Sequence, residues 1–133
     1  MQSRTASLLV ASAVLVSAFC LARGDANGPV VLTSENFAAE TEGKAAFVKF
    51  YAPWCGHCVA LAPAWDSLAK KVHAENPAAK VGKVDCTVEQ ELAGKYNVRG
   101  YPTLLMLKNG EQIPYRGARD EDSLMAFIKQ HTA

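Results

Sequence analysis

Strong charge of either sign is missing from this sequence. Its 133 residues carry 14 Lys and Arg against 13 Asp and Glu. A chain this close to neutral has no electrostatic footprint for nucleic acid or an anionic membrane, so neither is expected as a partner. An internal repeat, a low-complexity tract and an Asn-x-Ser/Thr acceptor are also lacking. Cysteine is scarce, with 4 in the chain. The apolar block over residues 8–22 falls short of the ~18 to 20 residues that a membrane-spanning helix needs. Preceded by the single Arg4 and followed by small residues and a polar, Gly-containing stretch, it reads as a cleavable secretory signal over residues 1–26. Cleavage after Ala22 or after Ala26 fits, and no membrane span is expected once the signal is gone. The chain ends His131-Thr132-Ala133 without a Lys-Asp-Glu-Leu-type retention signal, which leaves secretion open beside residence in the endoplasmic reticulum.

Loss of residues 1–22 removes Arg4 and Cys20, and cleavage after Ala26 takes Arg23 and Asp25 together as well, so the charge balance is the same. The mature domain, residues 27–133, is then neutral and keeps Cys55, Cys58 and Cys86. An odd cysteine in an oxidising compartment implies one working pair and one thiol to hide. Cys86 reads as the hidden one, a small buried hydrophobe. Half of the residues are hydrophobic and a fifth charged, as a single globular domain requires.

The stretch that organises the rest is Trp54-Cys55-Gly56-His57-Cys58, between an apolar, β-prone run at residues 45–51 and a helical pattern. Two cysteines three positions apart at a helix start share one face, with Cβ atoms roughly 5 to 6 Å apart, near what a disulfide requires. The unpaired N–H groups and dipole of the first turn favour a thiolate at Cys55, the attacking species. Cys58, one turn in, should hold its proton longer and resolve the mixed disulfide. His57 places an imidazole beside the pair. Its charge near neutral pH favours the reduced thiolate form and makes the disulfide more oxidising. Gly56 lets a substrate backbone approach. As half of a zinc site the pair lacks partners, because only Cys86, His73 and His131 remain to complete four ligands. No cofactor is expected.

Around this site the pattern alternates between strand and helix. A short strand at residues 30–32 precedes a helix over 35–41 capped by Ser34. The strand over 45–51 leads into the long helix, whose inward face reads Leu61, Trp65, Leu68 and Val72 and which contains Pro63. A strand over 80–86 follows, then a helix opened by a Thr87/Gln90 capping box with Val88, Leu92 and Tyr96 inward. A strand over 103–107, an Asn109-Gly110 hairpin, a strand over 112–115 and a helix capped by Asp120 close the chain. The order β-α-β-α-β-α-β-β-α predicts an α/β fold with a central mixed sheet flanked by helices on both faces.

The run Phe50-Tyr51-Ala52-Pro53-Trp54-Cys55-Gly56-His57-Cys58, with Leu61-Ala62-Pro63, then Val98-Arg99-Gly100-Tyr101-Pro102-Thr103 and Asn109-Gly110, resembles a catalytic thioredoxin-like domain of the protein disulfide isomerase family. The resemblance covers residues 29–131. It implies a thioredoxin-like fold and a thiol-disulfide oxidoreductase or isomerase that forms, reduces and rearranges protein disulfides in the secretory pathway. Its substrates would be unfolded or partly folded Cys-containing proteins, with glutathione or an oxidase as redox partner. Pro102 matches the family's cis-proline, which exposes the backbone of Tyr101 to an extended substrate. Trp54 and Tyr101 would form the apolar rim. Arg119 matches an arginine that can approach the resolving cysteine and lower its pKa. One position departs from the pattern: where relatives commonly carry a buried acid that accepts the resolving thiol's proton, this chain has Lys49. Either burial lowers the lysine pKa enough for it to serve, or Lys49 snorkels to solvent and water takes the proton. An exported reductase of thioredoxin type and a non-enzymatic chaperone using the same apolar rim are the competing readings.

Overall fold

A computed structural model describes residues 28–132; the expected signal segment lies outside them. The elements run β1 (Val30–Val31), α1 (Phe37–Thr41), β2 (Ala45–Tyr51), α2 (Gly56–Glu75), β3 (Ala79–Asp85), α3 (Gln90–Lys95), β4 (Thr103–Lys108), β5 (Glu111–Pro114) and α4 (Glu121–Thr132). The strands form one five-stranded sheet in the order β1-β3-β2-β4-β5. β3 pairs parallel with β1 and β2, while β4 runs antiparallel to both β2 and β5. This is the mixed sheet that the element order predicts.

β2 shows why the sheet is covered on both faces. All of its residues are buried except the half-buried Tyr51, and side chains alternate between faces along a strand. Ala45 and Phe47 pack with Leu61, Trp65, Leu68 and Val72 of α2 and Leu124 and Ile128 of α4. Ala46, Val48 and Phe50 pack on the other side with Phe37 of α1 and Leu92 of α3. Trp65 fixes α2 to the sheet, its indole N–H donating to the Gly82 carbonyl at 3.1 Å. Gly82 itself faces Leu32, whose Cδ1 lies 2.6 Å from where a Cβ would stand, so a side chain there would displace the buried leucine. At the hairpin, Asn109 and Gly110 take φ of 50° and 81°, the left-handed pair that a tight two-residue turn demands.

Two helix starts differ from their expected positions for one reason. The Ser34 hydroxyl donates to Glu89 at 2.8 Å and caps nothing. Asn36 occupies the position before α1, with its Oδ1 already accepting the Thr33 N–H at 2.7 Å. Thr87 likewise donates both its N–H and its hydroxyl to Asp85 Oδ1, so α3 opens only at Gln90 and Val88 stands 69% exposed instead of packing inward. In both segments a short Asp or Asn side chain offers the backbone a local turn that competes with the helix cap. The Asp120 cap forms as expected, accepting the Ser123 N–H at 2.8 Å. α2 continues through Pro63 to Glu75.

Cys86 is 4% exposed at the end of β3, within the α1/α3 side of the core. Burial pushes its thiol up to about 11, with the nearby Asp85 carboxylate adding to the effect. A group that binds its proton more tightly when folded stabilises the fold below its unfolded pKa and loses that contribution as pH rises through the folded one. Stability of the reduced protein, followed by urea denaturation, should therefore decline between about pH 8.5, the free-thiol value, and about 11. Cys86→Val should flatten this slope, leaving the part that comes from Cys58 and from the half-buried Tyr51, Tyr96 and Tyr115, whose pKa values burial also raises.

Candidate active site

The junction between β2 and α2 is held from both sides. The Tyr51 carbonyl accepts the Cys86 N–H at 2.9 Å, and the Ala52 carbonyl accepts the Cys55 N–H at 3.1 Å. With Ala52 fully buried, the chain turns through Pro53 and Trp54 and delivers Cys55 to the helix start in an extended conformation, φ −80° and ψ 120°. Cys55 is the N-cap of α2. Its Sγ accepts the Cys58 N–H at 3.2 Å, the role usually filled by a Ser, Thr, Asp or Asn oxygen, while its carbonyl accepts the first helical bond from Val59 at 3.0 Å.

A sulfur in this place is stabilised as an anion. Hydrogen bonding from the Cys58 side chain does most to lower the Cys55 pKa, and the N–H groups of Cys58 and His57 and the charge of Arg119 lower it further. Cys58 moves the other way. Burial raises its pKa first, then the hydrogen bond to Cys55 and the negative charge of that neighbour; the Ala52 N–H and the Lys49 charge pull it partly back. Both thiols are free and buried, at 8% and 3% exposure, so the difference between them comes from what each one faces. Cys55 sees donors and positive charge, whereas Cys58 sees an apolar interior and a neighbouring anion.

The surrounding side chains form a rim open to solvent. The Cys55 thiol also reaches the Tyr101 carbonyl at 3.6 Å, and the Tyr101-Pro102 bond is cis. Trp54 is 73% exposed and meets the Tyr101 ring edge-on at 5.7 Å. Nothing lies within 4 Å of a Cβ placed on Gly56, so that side of the pair is clear. His57 is exposed with its backbone at the helix start. The loop that carries Arg119 is pinned by the Tyr115 hydroxyl, which donates to the Ala118 carbonyl, and by the Asp120 cap.

Two positions can be set beside what the resemblance implied. The charge of Arg119 contributes to the lowered Cys55 pKa, and that of Lys49 partly opposes the rise at Cys58. Lys49 does not snorkel: it is 4% exposed on the α2 side of β2, with Nζ 5.1 Å from the centre of the Tyr51 ring and 5.9 Å from that of Trp65. Burial and the charge of Lys83 lower its pKa, opposed by Asp66 and Cys58. Lys83 and Asp66 were not singled out in the sequence. Lys83 owes its place to the strand register, which sets it directly beside Lys49, and Asp66 follows the inward-facing Trp65 on α2. Among the described residues no cluster of three or more His, Cys, Asp or Glu could hold a metal ion, and no helix is long and apolar enough to cross a membrane.

Comparison with known proteins agrees with this geometry. The sequence profile described as Thioredoxin matches residues 28–130. Rabbit (Oryctolagus cuniculus) protein disulfide-isomerase is 41% identical over 133 residues, covering 97% of this chain and 26% of the relative. The probable protein disulfide-isomerase A4 of Caenorhabditis elegans is 42% identical over 100 residues, 74% of this chain and 16% of the relative. The chain thus spans about a quarter or less of the length of these relatives. Among solved structures, the first thioredoxin domain of mouse protein disulfide-isomerase A4 superposes with a TM-score of 0.74 at 34% identity, over 82% of this chain and 79% of that one. Sheet order, the cysteine pair at the start of α2 and these similarities together establish that the chain belongs to the thioredoxin family and is akin to the thioredoxin domains of protein disulfide isomerases.

Proposed function

We propose that this chain is a thiol-disulfide oxidoreductase and isomerase acting on Cys-containing proteins that fold in the secretory pathway. The observation that carries the reading is the Cys55 sulfur at the cap of α2, accepting the Cys58 N–H at 3.2 Å. A thiolate there attacks a substrate disulfide. One substrate sulfur joins Cys55 in a mixed disulfide and the other leaves as a thiolate. Cys58 then attacks Cys55 Sγ, closing the internal disulfide and releasing the second substrate sulfur; the pair has given up two electrons. Run backwards from the oxidised pair, the same steps insert a disulfide. Escape of the mixed disulfide to another substrate thiol rearranges one.

The rim supports a polypeptide substrate. Trp54 and Tyr101 offer adjacent apolar rings, Gly56 leaves the approach open, and the backbone next to Pro102 lies beside the attacking sulfur. Arg119 places positive charge where the thiolate forms and the His57 backbone N–H faces the same sulfur, which favours the reduced pair and makes the disulfide a better oxidant. The similarity to protein disulfide isomerases and the apolar segment over residues 8–22 support a place in the secretory pathway, with glutathione or an oxidase to reset the pair.

Three measurements check the reading. Iodoacetamide alkylation of the reduced protein should titrate with a midpoint below the ~8.5 of free cysteine. The sign follows from the lowered pKa of Cys55: reactivity persists as pH falls past the free-thiol value and is lost only below the shifted one. Arg119→Ala should move this midpoint upward. In a reduced-ribonuclease refolding assay, Cys55→Ser should abolish turnover, while Cys58→Ser should accumulate a mixed disulfide detectable by mass; equal activity in both variants would refute the division of roles. Equilibration with glutathione should give a potential of about −180 mV rather than the roughly −270 mV of thioredoxin-type reductases, and His57→Ala should shift it to more negative values.

A further inference from the structure

The outer face of α2 changes character along its length. Its inner stripe is Leu61, Trp65, Leu68 and Val72, and a helix packed in this way ordinarily shows polar and charged side chains to solvent. The second half does so, with Asp66, Lys70, Lys71 and Glu75 exposed. In the first half the exposed positions after His57 are Val59, Ala60 and Pro63. Among the described residues four large apolar side chains stand exposed, and two of them, Trp54 and Val59, flank the reactive pair in sequence.

Helix geometry brings these two residues to Cys55. The Val59 N–H donates to the Cys55 carbonyl at 3.0 Å, so Val59 sits one turn above the N-cap on the same side of α2. Trp54 is the residue before the cap. Apolar side chains at these two positions commonly close on each other as a staple that fixes how the chain enters the helix. Here the Ala52 carbonyl, which holds the Cys55 N–H at 3.1 Å, fixes the entry instead. Trp54 meets the edge of Tyr101 and stays 73% exposed, and Val59 stays 61% exposed. The staple positions thus leave most of their apolar surface in solvent, one before and one after the attacking cysteine. Pro63 follows Val59 at the same four-residue spacing and extends the surface into a ridge about 12 Å long from Cys55.

We propose that Trp54 and Val59 bound a subsite for an apolar side chain adjacent to the reacting cysteine of a polypeptide substrate. The subsite rests on the disulfide-exchange reading given above, and that reaction names the occupant. In the mixed disulfide the substrate sulfur is bonded to Cys55 Sγ, and the next substrate residue, roughly 3.3 Å along an extended chain, comes within reach of the start of α2. An apolar side chain there covers Trp54 and Val59 and removes their surface from water. A polar one loses its own hydration without a partner, because Val59, Ala60 and Pro63 offer no side-chain donor or acceptor. The Tyr101 carbonyl, 3.6 Å from the same sulfur, addresses the substrate backbone and is indifferent to side-chain type. Val59 therefore selects among substrates, whereas the thiol and the Tyr101 backbone serve them all.

The test compares two peptide disulfides. Each is a symmetrical dimer of a short fluorescent peptide, self-quenched until cleaved, with its single cysteine flanked on both sides by Leu in one and by Ser in the other. Attack of the Cys55 thiolate forms a mixed disulfide with one half, breaks the peptide S–S bond and releases the other half as a thiolate, read as a rise in fluorescence. With full-length reduced protein, the second-order rate constant for the Leu peptide should exceed that for the Ser peptide by about tenfold. Val59→Thr keeps the side-chain shape and replaces a methyl group by a hydroxyl; it should reduce this ratio by about threefold or more. Val59→Leu should hold or raise it. A change in Cys55 ionisation or in the folded fraction scales both rates alike and cancels in the ratio. An equal rate for the two peptides, a wild-type ratio in Val59→Thr, or a fall in Val59→Leu matching that in Val59→Thr would overturn the subsite. Reaction of the wild type with neither peptide, while iodoacetamide still alkylates Cys55, would instead refute the exchange reading beneath it.

Discussion

One hydrogen bond organises the chemistry of this domain: the Cys58 N–H donates to the Cys55 sulfur at the start of α2. A helix leaves its first N–H groups without backbone partners, and most helices fill the gap with a side-chain oxygen. Here a sulfur fills it, so the stabilisation that ordinarily steadies a helix also lowers the pKa of a thiol. The arrangement needs a rigid supply of chain to the cap. That supply is β2, central in the sheet and paired on both sides, followed by the buried Ala52. Loosening β2 or the Tyr51 link to Cys86 would move the sulfur away from its donors.

A second contact, from the Cys58 thiol itself, separates the two thiols. In the pair, Cys58 donates to Cys55, which stabilises the anion on the outer sulfur and holds the proton on the inner one. Burial reinforces the split, since an anion at Cys58 faces the interior while Arg119 and backbone donors surround Cys55. On the proposed function, attack therefore comes from Cys55, and resolution waits until the mixed disulfide has discharged the outer anion. Once that charge is gone, the hydrogen bond and repulsion that hold the Cys58 proton are gone as well. The order of events follows from electrostatics that change as the reaction proceeds.

Most of the fold was legible because its signals are local and redundant. The apolar, β-prone run of β2, the Leu61, Trp65, Leu68 and Val72 stripe of α2 and the Asn109-Gly110 turn each state one answer. The element order and the two-sided sheet follow from them. The helix starts at Phe37 and Gln90 were not legible, because Asn36 and Asp85 can cap a helix or close a turn at similar free energy, and the choice depends on neighbours such as Thr33 and Thr87. At the site, the spacing of Cys55 and Cys58 located the helix start. The surroundings of Lys49 could not be read in advance. Its closest charges come from β3 and from mid-helix, and only the strand register and the rotation of α2 bring them together.

Why a lysine is tolerated there is a matter of balance. An ammonium buried without compensation is several kcal/mol unfavourable. Lys49 has partial compensation from the Tyr51 and Trp65 rings and from Asp66, against the repulsion of Lys83. Cys58 adds a term that depends on redox state, because only the reduced pair can place a thiolate beside the amine. Reduction therefore favours proton uptake at Lys49, and oxidation favours its loss. By linkage the reverse holds equally: protonating Lys49 stabilises the reduced pair and makes the disulfide more oxidising. A buried acid at this position would act with the opposite sign, since its carboxylate disfavours a neighbouring thiolate. With lysine, charge inside the fold works in the same direction as Arg119 outside it.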